Sequence, residues 1–188
     1  MNEAKLDGKN CVITGATGGI GKKISEILAS NGCNLFLIST NEKKLSELRL
    51  QIENSLNVKI HTFATDLSIL ENLKNTISEV RNFFEKVDIL INSAGIFNVD
   101  PLLNSTIEKF EKNFNLNVRA PFYLARIFSQ DMVQQKWGRI VNLGSSSSYT
   151  GFKNGSIYCT TKHAILGLSR SLHAELKEDN VRCYCISP

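Results

Sequence analysis

Short stretches rich in valine and isoleucine alternate along the chain with longer stretches whose apolar residues recur at helical spacing. This alternation is typical of a parallel sheet whose strands are joined by helices. Six strands are predicted, at residues 11–14, 35–39, 58–64, 87–91, 139–143 and 181–186. Because crossovers between parallel strands are right-handed, these units are expected to form an α/β fold, a doubly wound, Rossmann-like sheet with helices on both faces.

The stretches between the predicted strands carry apolar faces that a sheet can cover. Five such faces are present: Ile20, Ile24, Ile27 and Leu28; Leu45, Leu48 and Ile52; Leu70, Leu73, Ile77, Val80 and Phe84; Phe110, Phe114, Val118, Phe122 and Ile127; and Ile165, Leu168, Leu172 and Leu176. The fourth face predicts one long helical stretch after Pro101. Because no repeat or linker interrupts the pattern, residues 1–188 are predicted to be a single domain.

The composition is that of a globular protein rather than of a disordered one. The chain has 188 residues, of which 42% are hydrophobic and 21% charged, and its net charge is +4. So small a charge, with lysines spread along the chain, favours neither a nucleic-acid partner nor a membrane surface. No apolar run approaches the roughly 20 residues that span a bilayer, and the first residues do not resemble a signal peptide. The protein is therefore expected to be cytoplasmic.

Cysteine usage agrees with a reducing compartment. The number of cysteines is odd, they form no Cys-x-x-Cys pair, and no histidine stands at ligand spacing from Cys11, Cys33, Cys159, Cys183 or Cys185. This pattern predicts free thiols, with neither a disulfide framework nor a metal site.

A glycine-rich segment follows the first predicted strand and opens the first predicted helix. Residues 14–21 are Thr-Gly-Ala-Thr-Gly-Gly-Ile-Gly. Such glycines let the backbone approach a pyrophosphate, and the free N–H groups of the helix N-terminus bind the anion. A P-loop is excluded because no Gly-Lys-Ser/Thr ends the segment. The alternative to a nucleotide site is a turn without a ligand; the predicted cofactor contacts are Gly15, Thr17, Gly19, Ile20 and Gly21.

The end of the second predicted strand bears on the choice between the two nicotinamide dinucleotides. Where a carboxylate would accept the ribose 2′-OH of NAD, the chain has Ser39, Thr40 and Asn41, followed by Lys43 and Lys44. These side chains would not repel a 2′-phosphate, so NADP(H) is favoured over NAD(H). The alternative is a loop and helix cap with solvated lysines.

The end of the third predicted strand offers one further polar candidate. Asp66 either holds the adenine amino group or caps the next helix.

A tyrosine and a lysine stand four residues apart where the last helix is predicted to begin. Tyr158 and Lys162 would lie one above the other on that helix, and a lysine cation beside a phenol favours the phenolate. The pair could exchange a proton with an alcohol or a ketone. Tyr149 and Lys153 have the same spacing, but they lie in a glycine- and serine-rich connection where no helix would align them.

A serine follows the fifth predicted strand, at the carboxyl edge where open α/β sheets bind their ligands. Ser145 could donate a hydrogen bond to a carbonyl oxygen as negative charge develops there. Ser146, Ser147 and Ser148 are the rival candidates.

Taken together, these residues resemble the short-chain dehydrogenase/reductase family, with motifs closest in style to 3-oxoacyl-acyl-carrier-protein reductases. The resemblance spans essentially the whole chain. Its motifs occur in the family's order: the glycine-rich segment 14–21, Asn-Ser-Ala-Gly at 92–95 in place of Asn-Asn-Ala-Gly, Asn117, the segment 138–142 leading to Ser145, and Tyr158 with Lys162.

The resemblance implies hydride transfer between a nicotinamide cofactor and a small carbonyl or alcohol substrate. Tyr158 would be the general acid/base, Ser145 would polarise the substrate oxygen, and Lys162 would assist Tyr158 and bind the nicotinamide ribose. Asn117 would hold a water that passes the proton to solvent. The cofactor would also contact Asn92, Ala94 and Gly95.

The resemblance further implies segments that this sequence does not contain. After Pro188, members of the family continue with a substrate lid and a seventh strand, so the domain is expected to be truncated at its C-terminal end, with that strand and the lid missing. A catalytically inactive nucleotide-binding scaffold is the alternative to an active enzyme. The family also implies homo-oligomerisation, as a dimer or tetramer, through the helices around Phe114 and Leu168.

Overall fold

A computed structural model describes residues 6–188, and its centre is a parallel sheet of six strands. The strands are β1 (Asn10–Thr14), β2 (Asn34–Ser39), β3 (Ile60–Ala64), β4 (Ile89–Asn92), β5 (Gly138–Leu143) and β6 (Val181–Ile186). They lie in the order β3-β2-β1-β4-β5-β6, so the chain runs outward in one direction from β1 and then returns to continue from β4 in the other. The predicted doubly wound sheet is confirmed.

Helices connect every pair of successive strands. They are α1 (Gly19–Ser30), α2 (Glu42–Glu53), α3 (Leu70–Phe83), α4 (Ile107–Phe114), α5 (Ala120–Gln134) and α6 (Ser156–Leu176). Short 3-10 helices lie at Leu102–Asn104, Ser146–Ser148 and Lys177–Asp179. Within residues 6–188, no helix is both long and apolar enough to cross a membrane.

Two strands begin later than their apolar residues predict. The run starting at Val58 enters the sheet only at Ile60, and the run starting at Val87 only at Ile89. Just before each strand, a backbone N–H is bonded to a side chain instead of to a neighbouring strand. The N–H of Lys59 donates to Asn34 Oδ1 at 3.1 Å, and the N–H of Val87 donates to Asp131 Oδ2 at 2.9 Å.

The strands supply alternate side chains to two apolar layers. Val12 of β1 belongs to the layer under α3 and α5, whereas its neighbours Cys11 and Ile13 belong to the layer under α1 and α2. This is the two-residue period of a strand buried on both faces.

The predicted apolar face of α1 is wrong in part. Ile20 and Ile27 are exposed by 47% and 50%, and the residues that face β1 are instead Gly21, Ser25 and Ala29. Helix α1 runs too close to the backbone of the first turn to admit larger side chains on that face. Ile24 and Leu28, the other two members of the predicted face, pack against the edge of the apolar layer.

The predicted long helical stretch after Pro101 consists of two α-helices rather than one. A π-helical segment, Asn115–Arg119, joins α4 to α5. Pro121 lies in the first turn of α5 and has no N–H to donate to the carbonyl of Asn117, four residues earlier. The regular helical hydrogen bonding is therefore interrupted at Asn117, a predicted site residue.

Candidate active site

The glycine-rich turn brings three backbone segments into contact at the end of β1. Gly15 has a φ of +66°, and a Cβ there would lie 2.7 Å from the backbone nitrogen of Ala94. A Cβ on Gly21 would lie 2.2 Å from the carbonyl oxygen of Gly15. Both positions require glycine, which holds the N-terminus of α1 at the sheet edge with its free N–H groups facing outward.

Thr14, the last residue of β1, joins this turn to the segment after β4. Its hydroxyl oxygen accepts hydrogen bonds from the N–H groups of Ser93 and Ala94, both at 3.1 Å. The side chain thus holds together the two loops that diverge where the strand order reverses, which is where open α/β sheets bind ligands.

A cavity of about 220 Å³ lies on the β2 side of the turn. Seven of the predicted cofactor contacts line it: Gly15, Thr17, Ser39, Thr40, Asp66, Ala94 and Gly95. The hydroxyl oxygens of Thr17 and Ser39 are 2.5 Å apart. Asp66 Oδ1 accepts from the N–H of Ser68 at 2.9 Å, so this carboxylate shapes the turn before α3 and also faces the cavity.

A second cavity, of about 350 Å³, lies on the β5 side of the turn. The remaining predicted site residues on its wall include Gly19, Ile20, Gly21, Ser145, Tyr158 and Lys162. Both cavities are bordered by Gly15, Gly18, Ser93 and Gly95, so they form one elongated cleft that bends around the glycine turn. This shape suits a dinucleotide, because its pyrophosphate would meet the helix N-terminus while its two nucleosides extend to either side.

Tyr158 and Lys162 lie on successive turns of α6 and both face the second cavity. The Lys162 Nζ atom is 5.6 Å from the centre of the Tyr158 ring and donates a hydrogen bond to the carbonyl of Leu143 at 2.6 Å. Burial lowers the pKa of Lys162 below its usual value, and Cys185 opposes that effect. The ammonium group is thus held next to the phenol by the end of β5.

Ser145 begins the short helix that follows β5, and its side chain has a free donor. Its Oγ accepts from the N–H of Ser147 at 3.2 Å, while its own N–H donates to Ser148 Oγ at 3.1 Å. Because that oxygen already accepts a hydrogen bond, its proton can be directed to another group in the cavity. Only Ser145 of the four serines lines the cavity.

The amide of Asn117 clamps the loop that follows β4. Its Oδ1 accepts from the N–H of Ile96 at 2.8 Å, and its Nδ2 donates to the carbonyl of Ile96 at 3.0 Å and to Thr161 Oγ1 at 3.1 Å. Thr161 lies between Tyr158 and Lys162 on α6. The side chain of Asn117 therefore connects the loop after β4 to the helix that carries Tyr158.

Comparison with known proteins agrees with this arrangement. A family model described as short chain dehydrogenase matches residues 9–188. The chain belongs to that family. As a short-chain dehydrogenase it is an oxidoreductase, of a family whose solved structures include complexes with NAD⁺ and with NADP.

Individual relatives of this short-chain dehydrogenase differ in substrate and cofactor. A 3-oxoacyl-[acyl-carrier-protein] reductase of Aquifex aeolicus is 33% identical over 186 residues, which cover 99% of this chain and 75% of that protein. NAD⁺-bound xylitol dehydrogenase has a TM-score of 0.89 at 30% identity, covering 98% of this chain and 71% of the other. L-Sorbose reductase from Gluconobacter frateurii, complexed with NADPH and L-sorbose, has a TM-score of 0.92 at 30% identity, with coverages of 97% and 69%.

One predicted cofactor contact of the short-chain dehydrogenase lies behind the cleft rather than on its wall. Asn92 is buried, and its Nδ2 donates to Asn142 Oδ1 at 2.8 Å; Asn142 in turn donates to Ser169 Oγ at 2.9 Å. This polar chain links β4, β5 and α6.

The sequence was sufficient to choose Tyr158 over Tyr149 as the tyrosine aligned with a lysine on a helix. It did not reveal the threonines that connect the segments of the site. Residues 149–153 contain no α-helix, so Tyr149 and Lys153 are not aligned as Tyr158 and Lys162 are. The contacts made by Thr14 and Thr161 were not anticipated, because a threonine next to a motif carries no signal of its own in a single sequence.

Proposed function

We propose that this enzyme transfers a hydride between NADP(H) and a carbonyl compound or secondary alcohol, with Tyr158 as general acid/base. The observation that carries the proposal is the placement of Tyr158, Lys162 and Ser145 on one wall of a cleft whose other half suits a nucleotide.

In the reducing direction the cofactor supplies the hydride, which the substrate carbonyl carbon accepts. Tyr158 gives its proton to the substrate oxygen as negative charge develops there. The nearby Lys162 ammonium favours the phenolate that remains, and Ser145 donates its free hydroxyl proton to the same substrate oxygen. In the oxidising direction the phenolate takes up the proton of the alcohol.

Lys162 would also hold the ribose on the nicotinamide side, which is consistent with its position between the end of β5 and Tyr158. Asn117 would supply the route by which the proton reaches solvent. The side-chain amide of Asn117 already forms hydrogen bonds with Ile96 and Thr161. We therefore assign the water to the main-chain carbonyl of Asn117, because Pro121 has no N–H to donate to it.

The preference for NADP(H) is supported by the charges around the adenosine half of the cleft. The end of β2 offers Ser39 and Thr40 in place of a carboxylate. Beyond Thr17 lies an adjoining cavity of about 350 Å³, lined by Lys22 and Lys44 and also by Glu47. A 2′-phosphate directed from the cleft towards this cavity would meet the Thr17 hydroxyl and two ammonium groups.

The enzyme is also proposed to form homo-oligomers through α4, α5 and α6. Ile107, Phe110 and Phe114 recur at spacings of three and four residues on α4, and Ile107 and Phe110 are exposed. An apolar helix face of this kind favours burial against a second copy.

Replacing Tyr158 by phenylalanine tests the catalytic assignment. Turnover of ketones with NADPH is expected to fall by at least about a hundredfold, because general acid catalysis is lost, while NADPH binding followed by fluorescence stays within about twofold. Tyr149→Phe is the matched control and is expected to retain turnover. Full activity in Tyr158→Phe would remove the phenol from the mechanism.

The inactive scaffold is not favoured, because Ser145, Tyr158 and Lys162 line one cavity and the relatives named above are oxidoreductases. It would predict NADPH binding without turnover of any carbonyl compound by the wild-type protein.

A further inference from the structure

An exposed phenylalanine stands against the catalytic tyrosine. Phe97 is 64% exposed and lines the same cavity as Tyr158 and Ser145. Its ring lies edge-on to the Tyr158 ring, with the centroids 4.7 Å apart and the planes at 90°. Single exposed apolar side chains are ordinary on a protein surface. The position of this one matters, because a substrate whose oxygen reached Tyr158 and Ser145 would meet the Phe97 ring.

A second aromatic ring extends this surface away from the reacting centre. The Phe152 ring is 6.4 Å from the Phe97 ring and is 41% exposed. It packs over Gly155, where a Cβ would lie 2.6 Å from the ring. Tyr158, Phe97 and Phe152 thus form a continuous aromatic row, which we define as the aromatic wall.

Hydrogen bonds hold the two loops that carry the wall. Phe97 directly follows Ile96, whose N–H and carbonyl are both bound by the amide of Asn117. Further along, the N–H of Asp100 donates to the carbonyl of Asn154 at 3.0 Å, which joins the loop of Phe97 to the loop of Phe152. These contacts restrain the backbone of both loops, which lowers the ordering cost when an apolar group packs on the wall.

The polar groups of the same cavity are few. Within the described chain, the polar side chains on its wall are Ser93, Ser145, Tyr158 and Lys162, and neither a carboxylate nor a carboxamide is among them. Ser145, Tyr158 and Lys162 are engaged by the reaction itself. The described wall of this cavity therefore offers a substrate few hydrogen-bond partners beyond the reacting groups.

We propose that the substrate carries an apolar alkyl or aryl group next to its carbonyl carbon, and that this group packs on Phe97 and Phe152. The inference rests on the proposed function and narrows it: it favours an acyl chain or aryl ketone over an open-chain polyol. Similarity to relatives does not make this choice, since a 3-oxoacyl reductase and a sorbose reductase resemble the chain to similar degrees.

The first test compares substrates on the wild-type enzyme. With NADPH, kcat/KM is expected to rise along unbranched methyl ketones from butanone to decan-2-one, by about threefold for each methylene that packs on the wall. Dihydroxyacetone and L-sorbose serve as polyhydroxy comparators and are expected to be poorer substrates than decan-2-one. A flat series, or a preference for the polyhydroxy ketones, would overturn the inference.

The second test assigns the effect to the wall. Phe97→Ala and Phe152→Ala are each expected to lower the decan-2-one/butanone ratio of kcat/KM by about tenfold. Because both ketones depend equally on Tyr158, a displaced tyrosine would lower both rates and leave the ratio unchanged. Leu50→Ala, an exposed apolar residue of α2, is the control, and unfolding temperatures verify that each variant is folded. A ratio unaltered in both phenylalanine variants would also overturn the inference.

A binding measurement separates this inference from the proposed chemistry. Ketone affinity is measured by calorimetry on the complex with NADP⁺, which has no hydride to give, so the result does not depend on turnover. If decan-2-one binds more tightly than butanone and Phe97→Ala abolishes this difference, the aromatic wall is supported, whether or not any ketone is reduced. Failure to reduce any ketone would count against the proposed function alone. Equal affinity for both ketones contradicts the wall.

Discussion

At the scale of single residues, the proposed proton transfer depends on side chains that are held by one hydrogen bond and can still form another. Ser145 is an example: its oxygen accepts from the Ser147 N–H, which directs its proton elsewhere. Lys162 donates to the carbonyl of Leu143 and still lies beside the Tyr158 ring. The positions of these polar atoms, more than the residue types alone, support the roles proposed for them.

The proposed preference for NADP(H) also depends on single residues. Lys44→Ala is expected to weaken NADPH binding about tenfold while leaving NADH binding nearly unchanged, because only NADPH carries a 2′-phosphate, which Lys44 would bind in a charge-assisted hydrogen bond. Fluorescence titration with both cofactors gives the ratio of the two dissociation constants.

Lys43→Ala is the matched control for that change, since Lys43 precedes Lys44 on α2 but lies outside the cavity lined by Lys22, Lys44 and Glu47. The two variants carry the same net charge. If both shift the ratio equally, long-range attraction is responsible and Lys44 makes no specific contact.

At the scale of elements, the sequence predicted what depends on local pattern. All six strands were found because buried strands are continuous apolar runs. The alignment of Tyr158 with Lys162 was found because helical spacing is a local property. The face of α1 was misjudged, since isoleucine spacing carries no information about how close a helix lies to a neighbouring backbone. The partner of the Asn117 amide, Ile96, was equally out of reach because the two are joined only by the tertiary fold.

The close approach of α1 to the turn can be tested with two glycines of the same motif. Gly21→Ala would place a methyl group 2.2 Å from the Gly15 carbonyl oxygen, so α1 has to move away from β1. We expect a loss of about 1–3 kcal/mol in the free energy of unfolding. NADPH binding is expected to weaken as well, since the helix N-terminus moves with α1.

Gly19→Ala provides the comparison, because a Cβ at Gly19 meets nothing within 4 Å. Denaturant unfolding is expected to give nearly the same free energy for this variant as for the wild type. An equally stable Gly21→Ala variant would mean that the turn adapts more easily than its contacts indicate.

At the scale of the whole molecule, the cleft and the apolar helix surface lie on different elements. The glycine turn, the end of β5 and the first turns of α6 border the cleft. Five exposed apolar residues lie instead on α4, α5 and the 3-10 turn before them: Leu102, Leu103, Ile107, Phe110 and Phe122. Asn117 belongs to the π-helical segment between α4 and α5. Burying that helix surface against a second copy would therefore also support the segment that clamps the loop of Phe97.

Ile107→Glu tests this association without weakening the helix. Ile107 is the first residue of α4 and is exposed, so a glutamate there interacts favourably with the helix dipole. Its charge would have to be desolvated in an apolar interface, which disfavours the oligomer. Sedimentation velocity is expected to show a dimer or tetramer for the wild type and a larger monomer fraction for the variant, with an unchanged unfolding temperature at low protein concentration.

Leu50→Glu places the same charge on the exposed side of α2 and should keep the wild-type sedimentation coefficient. A wild-type protein that sediments as a monomer at micromolar concentration would show that this helix surface serves another purpose.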